Sequence, residues 1–536
     1  MNRLDLLIVA ASLLIVLVIG LWAARRRSET AEGYFLASGK MPWWIIGSAF
    51  VSTSVSSEQI VGTVGAAYSK GMLIANWEWW TLPTYLLLIV LFIPLYLHNR
   101  VTTVADLLDR RFGPLCRDLY SWVMLGAYVV VFLVPVLYGG SLAISQLIHW
   151  PEDLAPWGQQ IVLWMMLALV AAYTVKGGLV SVMWTDAVQC LMLVGGGLVL
   201  FFYALSHVPG GWQAMVEARP DRFRLYQPPN DADAPFLGLV AASLGVFLFY
   251  QAGNQVMVQR VLGARSTWDG MMGIIFAGFI NLLRPLVTCF LGFVVYHWIH
   301  VMGRSQPLDN PDLAFPFVLR TLSPEWGLRG IVLAGFVAAV MSTLSALSNS
   351  TATLFSLEVY RKLIAPHATD RQTVVVGRIA SLAALVLAAA LAPLVPKFGG
   401  IFRYFQTAVT YLATPFISVM LLGIFWKRTT YAAAVVGIIG GLVIQIALGV
   451  WLPRLWTDLH WLYIAFIAQV LTMALVVAAS LLSPPPPEHR WRPFLWRPAL
   501  LWQLSSGTTG RAWYQSLWLW GGTYAAIWIG IYAWFW

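Results

Sequence analysis

Apolar residues run through this chain in fourteen long stretches, at 5–24, 43–66, 77–98, 120–146, 160–175, 180–206, 236–259, 272–299, 326–360, 378–396, 401–425, 430–452, 459–482 and 513–535. Each is long enough as a helix to cross a hydrocarbon core about 30 Å thick at about 1.5 Å per residue. The pattern predicts an all-α polytopic membrane protein with about 14 transmembrane helices. The polar tracts between them, the longest around 208–235, 300–325 and 483–511, are too short for a second domain, so residues 1–536 read as one integral domain.

Two of the stretches are interrupted by polar residues in corresponding places. The second carries Ser52-Thr53-Ser54-Val55-Ser56-Ser57-Glu58-Gln59, and the seventh, five segments later, carries Tyr250-Gln251-Ala252-Gly253-Asn254-Gln255. Segments two to six (43–206) and seven to eleven (236–425) then form two five-helix units, each opening with a discontinuous helix. An odd number of spans per unit makes the repeats inverted, a transporter plan that places the ligand site at the breaks near the middle of the membrane. Segment 5–24 is an extra N-terminal helix, read as retained and not as a cleaved leader, and 430–535 holds accessory C-terminal helices.

Composition agrees with this reading. The chain is 59% apolar and 10% charged, against roughly 25% charged in soluble domains, which excludes a soluble globular fold. Its net charge of +10 follows from loop arginines and lysines under the positive-inside rule, with no nucleic-acid partner needed. The cluster Arg25-Arg26-Arg27 after the first helix, with Arg110, Arg111, Arg361, Lys362, Lys427 and Arg428 in later loops, puts both termini outside. Tryptophans at span ends, such as Trp43, Trp44, Trp79 and Trp80, fit interfacial anchors. Cys116, Cys190 and Cys289 form neither a disulfide framework nor a metal motif. No HExxH, GxSxG or Walker sequence is present, so the chain is not expected to be an enzyme, and uphill transport has to draw on an ion gradient.

Helix breaks release backbone carbonyls, the weakly dipolar oxygens that a dehydrated sodium ion needs. The first break offers them around Ser52 and Val55, and segment nine adds the hydroxyls of Ser342, Thr343 and Ser345. The competing reading is that such hydroxyls bond the preceding turn of their own helix. Carboxylates at membrane depth, Glu58, Glu78 and Asp186, are costly unless paired or wetted. Glu78 is suited to accept from a polyhydroxylated solute, or else faces water at a helix end. The amides Gln59, Asn254, Asn281 and Gln406 supply both donors and acceptors for sugar hydroxyls. Arg284 either neutralises a carboxylate such as Glu78 or snorkels to an interface, and Asp186 has no evident partner in sequence.

Four blocks carry a family resemblance: Ser56-Ser57-Glu58-Gln59 with Gly62 and Glu78-Trp79; Tyr173-Thr174-Val175-Lys176-Gly177-Gly178-Leu179 with Thr185-Asp186 and Gln189; Asn254-Gln255 with Gln259-Arg260; and Ser342-Thr343 with Asn349-Ser350-Thr351 and Tyr360. Over about residues 5–482 the chain resembles the sodium/solute symporter family, most nearly its sodium-glucose cotransporter branch. That resemblance implies an inverted five-helix repeat transporter core (LeuT-like) working by alternating access, with Na+ as the co-transported ion and no organic cofactor. It implies a sodium site from the carbonyls of Ser52, Val55 and Ala339 and the hydroxyls of Ser342 and Thr343. It implies a sugar site from Gln59, Glu78, Asn254 and Gln406, with Tyr250 as the aromatic of an inner gate.

Three positions depart from the family pattern. Asn281 stands where sugar-transporting relatives have a lysine, and Gln251 stands where human-type members have a tryptophan. Asp186, Ser342 and Ser345 match a second sodium position of some relatives, but Ala346 supplies no hydroxyl there. The expected function is sodium-coupled import of a monosaccharide such as glucose or galactose across a bacterial inner membrane, with sodium, the solute and the lipid bilayer as partners. Myo-inositol, sialic acid or another small solute is the alternative cargo, and a non-transporting solute sensor is the alternative function.

Overall fold

The structure, a computed structural model, describes residues 3–25, 30–146, 148, 150–323, 327–398, 401–457, 459–505 and 512–536. The side chains of Glu58 and Gln406, like Arg26, Arg27 and His149 altogether, lie outside the described residues. Among the described residues, eleven helices are long and apolar enough to cross a membrane, and the bent pair Phe236–Ala242 and Val246–Gly253 makes up to twelve. The two remaining predicted stretches are also helical: 43–66 is divided at its polar break, and 513–535 holds a tryptophan-rich helix of 19 residues, Leu517–Phe535.

The elements that shape the interior are, in chain order, α1 (Arg3–Ala24), α2 (Trp43–Ser54), α3 (Ser57–Lys70), α4 (Asn76–Trp79), α5 (Gly158–Ser206), α6 (Gln255–Leu262), α7 (Thr267–Val287), α8 (Leu328–Thr353), α9 (Ile401–Phe425), α10 (Tyr431–Leu455), α11 (Trp461–Leu482) and α12 (Leu517–Phe535). The serine-rich run ends α2, because Val55 (φ −113°, ψ 109°) and Ser56 (φ −136°, ψ −168°) are extended and the ladder resumes only in α3. Side chains that compete for backbone hydrogen bonds favour such an interruption. The predicted segments 160–175 and 180–206 are the two arms of α5, which turns at Gly178 (φ 60°, ψ −161°). A Cβ there would lie 2.6 Å from the Tyr34 carbonyl oxygen, so glycine is required twice over.

Close helix approach sets the depth of the site. At the crossing of α2 and α7, a Cβ on Gly47 would fall 2.4 Å from the Gly273 carbonyl oxygen. Small residues at such crossings let backbones approach where lipid gives no hydrophobic drive to association. The last helix is tied to α4 and the residues just after it by polar contacts: Tyr532 donates to Asn76 Oδ1 at 2.8 Å, Trp528 Nε1 to the Trp79 carbonyl at 2.5 Å, and Tyr524 shares a hydrogen bond with Thr81 at 3.0 Å. Trp79 and Trp80 are therefore buried in an aromatic cluster with Phe290, Trp528 and Tyr532 and do not sit as interfacial anchors. Of the four tryptophans read as anchors, Trp44 is exposed and Trp43 half-buried.

Outside the spans, His460 caps α11. Its Nδ1 accepts the Leu462 N–H at 3.3 Å, which requires that nitrogen to carry no proton. Burial lowers the imidazole from the ordinary histidine value to about 4, against the opposing pull of Asp231 and Asp233. A histidine whose folded value is depressed binds fewer protons folded than unfolded, so its contribution is intact above about pH 6.5 and is lost as pH falls toward 4. The apparent melting temperature of the purified protein is expected to drop between pH 7.5 and 5, and His460→Gln to flatten that drop. An unchanged slope in the variant would assign the acid sensitivity elsewhere.

Candidate ion and solute site

The break in the second span meets the hydroxyl-rich stretch of α8 directly. Ser52 Oγ donates to Ser342 Oγ at 2.9 Å, and Thr343 Oγ1 lies 3.3 Å from both the Thr53 carbonyl and the Ala339 carbonyl of its own helix. Ser52, Val55, Ala339 and Ser342 are fully buried and Thr343 nearly so. The carbonyls of Ser52 and Val55 would accept from Ser56 and Gln59 in an unbroken helix, and the extended residues between α2 and α3 release them from that ladder. The meeting of the break with α8 thus gathers neutral oxygens, the hydroxyls of Ser52, Ser342 and Thr343 and the carbonyls of Thr53 and Ala339, a donor set that fits a small hard cation better than a soft metal. Among the described residues, no group of three or more His, Cys, Asp and Glu gathers as a metal site.

Asp186 belongs to the same cluster. Ser342 Oγ donates to its Oδ1 at 2.6 Å, Thr53 Oγ1 lies 3.5 Å from Oδ2, and Arg260 Nη2 lies 3.5 Å from Oδ2 with both residues wholly buried. Arg260 also donates to Thr53 Oγ1 at 3.1 Å and to the Val256 carbonyl at 3.1 Å. By accepting the hydrogen bond of the Ser342 hydroxyl, Asp186 leaves the lone pairs of that oxygen toward Ser52 and the break. Ser345 Oγ instead donates to the Ser342 carbonyl at 2.8 Å, back onto its own helix. Arg260 and Thr53 escape a reading of the chain for site residues: an arginine at the end of an apolar stretch looks like a positive-inside charge, and one hydroxyl among many carries no distinguishing signal.

The solute candidates divide. A cavity of about 70 Å³, space for a few waters, is lined by Gln59 and Tyr250 together with Ser54, Gln251, Arg284 and Trp77. Glu78 stands behind it, fully buried: its Oε2 accepts from Thr288 Oγ1 at 2.7 Å and lies 3.4 Å from Arg284 Nε, while Oε1 has no hydrogen-bond partner among the described residues. Arg284 therefore pairs with Glu78 and does not snorkel, and Glu78 does not face water. Asn254 lies outside the cavity wall, where its Oδ1 accepts from Tyr128 at 2.7 Å and caps Val256 N–H at 3.3 Å. Asn281 is turned away, donating to the Tyr85 hydroxyl at 2.6 Å. Gln406 falls in α9 beside Phe405, a wall residue, but its side chain is outside the described ones. A wider recess of about 1090 Å³ among Arg100, Arg110, Arg361 and Lys362 includes none of the candidate residues.

The sodium:solute symporter family model matches residues 34–441. The chain belongs to the sodium:solute symporter family. It is 31% identical over 467 residues to the sodium/glucose cotransporter of Vibrio parahaemolyticus, covering 82% of this chain and 84% of that protein. To the sodium/myo-inositol cotransporter 2 of Mus musculus it is 30% identical over 544 residues, covering 92% of this chain and 79% of the relative. A solved structure of a substrate-bound, outward-open Na+-coupled sialic acid symporter superposes with a TM-score of 0.79 at 21% identity, covering 90% of this chain and 98% of that one. The fold is the LeuT-like transporter fold, the family is one of multi-pass membrane transporters, and Na+ is the co-transported ion.

Proposed function

We propose that this symporter imports a neutral polyhydroxylated solute, a monosaccharide such as glucose or galactose, down the sodium gradient by alternating access. The observation that supports this reading is the contact of the broken second span with two sites at once: its Ser52 hydroxyl and Thr53 carbonyl meet α8, while Ser54 and Gln59 line the solute cavity. An ion clasped by Ser52, Val55, Ala339, Ser342 and Thr343 orders the break, and the ordered break presents Gln59 to the solute. Linkage makes the effect mutual, so solute strengthens sodium binding by the same factor. Segments 43–206 and 236–425 serve as the inverted repeats that rock about this centre, and the charge bias of the loops orients both termini outside a bacterial inner membrane.

The unpaired Glu78 Oε1 supports a cargo rich in hydroxyl donors over an anionic one, because a carboxylate brought there meets another carboxylate. Uptake into proteoliposomes tests the reading, with glucose, galactose, myo-inositol and sialic acid offered under imposed sodium or proton gradients. Accumulation that needs the inward sodium gradient is the expected result. Equal accumulation with no cation gradient would overturn it, and sodium-dependent binding without flux would favour a sensor. Ser342→Ala and Thr343→Ala are each expected to raise the sodium concentration for half-maximal uptake roughly tenfold, equivalent to about 1.4 kcal/mol. Sodium dependence identical to wild type in both variants would remove α8 from the ion site.

A further inference from the structure

Arg284 occupies the last turn of α7, just before Pro285, and its buried guanidinium forms part of the cavity wall. It reaches two other elements. Nε lies 3.4 Å from Glu78 Oε2 on α4, and Nη1 donates at 3.3 Å to Oγ of Ser54, the last residue of α2. The Ser54 hydroxyl donates in turn to the Val51 carbonyl at 2.8 Å. The next residue, Val55, is where the span breaks, and the preceding carbonyl, Thr53, is the one that Thr343 of α8 approaches. One cation thus touches the solute cavity on one side and the ion-facing break on the other.

Both contacts are long for charge-assisted hydrogen bonds, which run at about 2.7–2.9 Å. Arg284 Nε and Glu78 Oε1 each lack a hydrogen-bond partner among the described residues, so a buried donor and a buried acceptor stand side by side unsatisfied. Leaving such groups incomplete costs free energy that a ligand recovers by bonding both. A hydroxyl accepts and donates at once, and two adjacent hydroxyls match a guanidinium–carboxylate pair.

Resting on the symport reading above, we infer that Arg284 is a solute-contacting and coupling residue: it binds adjacent hydroxyls of a neutral polyol together with Glu78, and transmits occupancy to the broken span through Ser54. A guanidinium drawn toward solute changes its hold on Ser54, and Ser54 directly follows Thr53, whose carbonyl Thr343 of α8 approaches. The pathway consists of contacts already in place, with the helix break as its two-state element.

The test is equilibrium binding of tritiated glucose, galactose and myo-inositol to the purified full-length protein in nanodiscs, at zero and at saturating sodium. The ratio of the two affinities is the coupling factor, expected in wild type within about 5- to 150-fold for at least one probe. Arg284→Lys keeps the charge but loses the fork that spans Glu78 and Ser54. It is expected to weaken binding of that probe roughly tenfold and bring the coupling factor to about threefold or less. Ser54→Ala, a smaller change, is expected to bring the factor equally low, and Ser54→Thr, which retains the hydroxyl, to restore at least half of it. A wild-type factor that persists in both Arg284→Lys and Ser54→Ala overturns this inference alone. A wild type whose binding of every probe ignores sodium overturns the symport reading and this inference with it.

Discussion

Asp186→Ala is expected to cost about 3–5 kcal/mol of stability and to abolish sodium-driven uptake. The reason is Arg260. Both residues are wholly buried, and removal of the carboxylate leaves the guanidinium, among the described residues, with the Thr53 hydroxyl and the Val256 carbonyl. An uncompensated buried cation is among the few defects that destabilise a fold by so much. Uptake is lost for a second reason: Ser342 loses the acceptor at 2.6 Å that fixes its hydroxyl, and its oxygen no longer presents lone pairs toward Ser52. The paired replacement Asp186→Leu with Arg260→Met separates the two effects. Apolar residues of similar volume can replace a buried ion pair with little loss or even a gain in stability, so the double variant is expected to melt near wild type while its uptake stays insensitive to sodium. Thermal unfolding followed by tryptophan fluorescence reads the first effect and vesicle flux the second. If Asp186→Ala melts as wild type does, the pair is not carrying its own desolvation, and if the double variant retains normal sodium dependence, Asp186 has no part in orienting Ser342.

The same pair marks where the sequence stops being readable. Apolar length is a property of each segment by itself, which is why the helices, and even the division of the second span at its serines, follow from the chain alone. The kink at Gly178 is likewise announced by adjacent glycines between two apolar runs. The partner of Asp186 is a relation between spans, and nothing local distinguishes Arg260 from the many arginines that end apolar stretches. Glu78 shows the same limit from the other side. Pairing with Arg284 and exposure to water were equally compatible with its neighbours, and only the packing of α7 against α4 and α2 decides between them. Trp79 and Trp80 look like interfacial anchors because they stand at the start of an apolar run. They are buried because α12, more than four hundred residues later in the chain, covers them and bonds the Trp79 carbonyl.

Glu78→Gln is expected to raise the solute concentration for half-maximal uptake roughly 10- to 100-fold, because a hydrogen bond to a buried charge contributes about 1.5–3 kcal/mol. The substitution keeps the size of the side chain and an oxygen for Thr288 Oγ1, but exchanges the unpaired Oε1 for an amide donor or turns the amide toward Arg284. Either orientation removes the charged acceptor proposed to meet the solute. A purely structural role for Glu78 predicts something different: a lower melting temperature and a smaller yield, with half-saturation unmoved in the protein that remains. Deoxy analogues of the transported solute sharpen the contrast. The analogue that lacks the hydroxyl facing Oε1 should be taken up poorly by wild type, whereas the variant should distinguish it little from the parent solute, since a site built to bond a hydroxyl rejects its absence only while the bond can form. The interaction energy from that cycle of solute and residue isolates the contact from any general loosening of the fold. Should every deoxy analogue suffer the same loss in Glu78→Gln as in wild type, the carboxylate does not touch the solute, and its role is confined to holding Arg284.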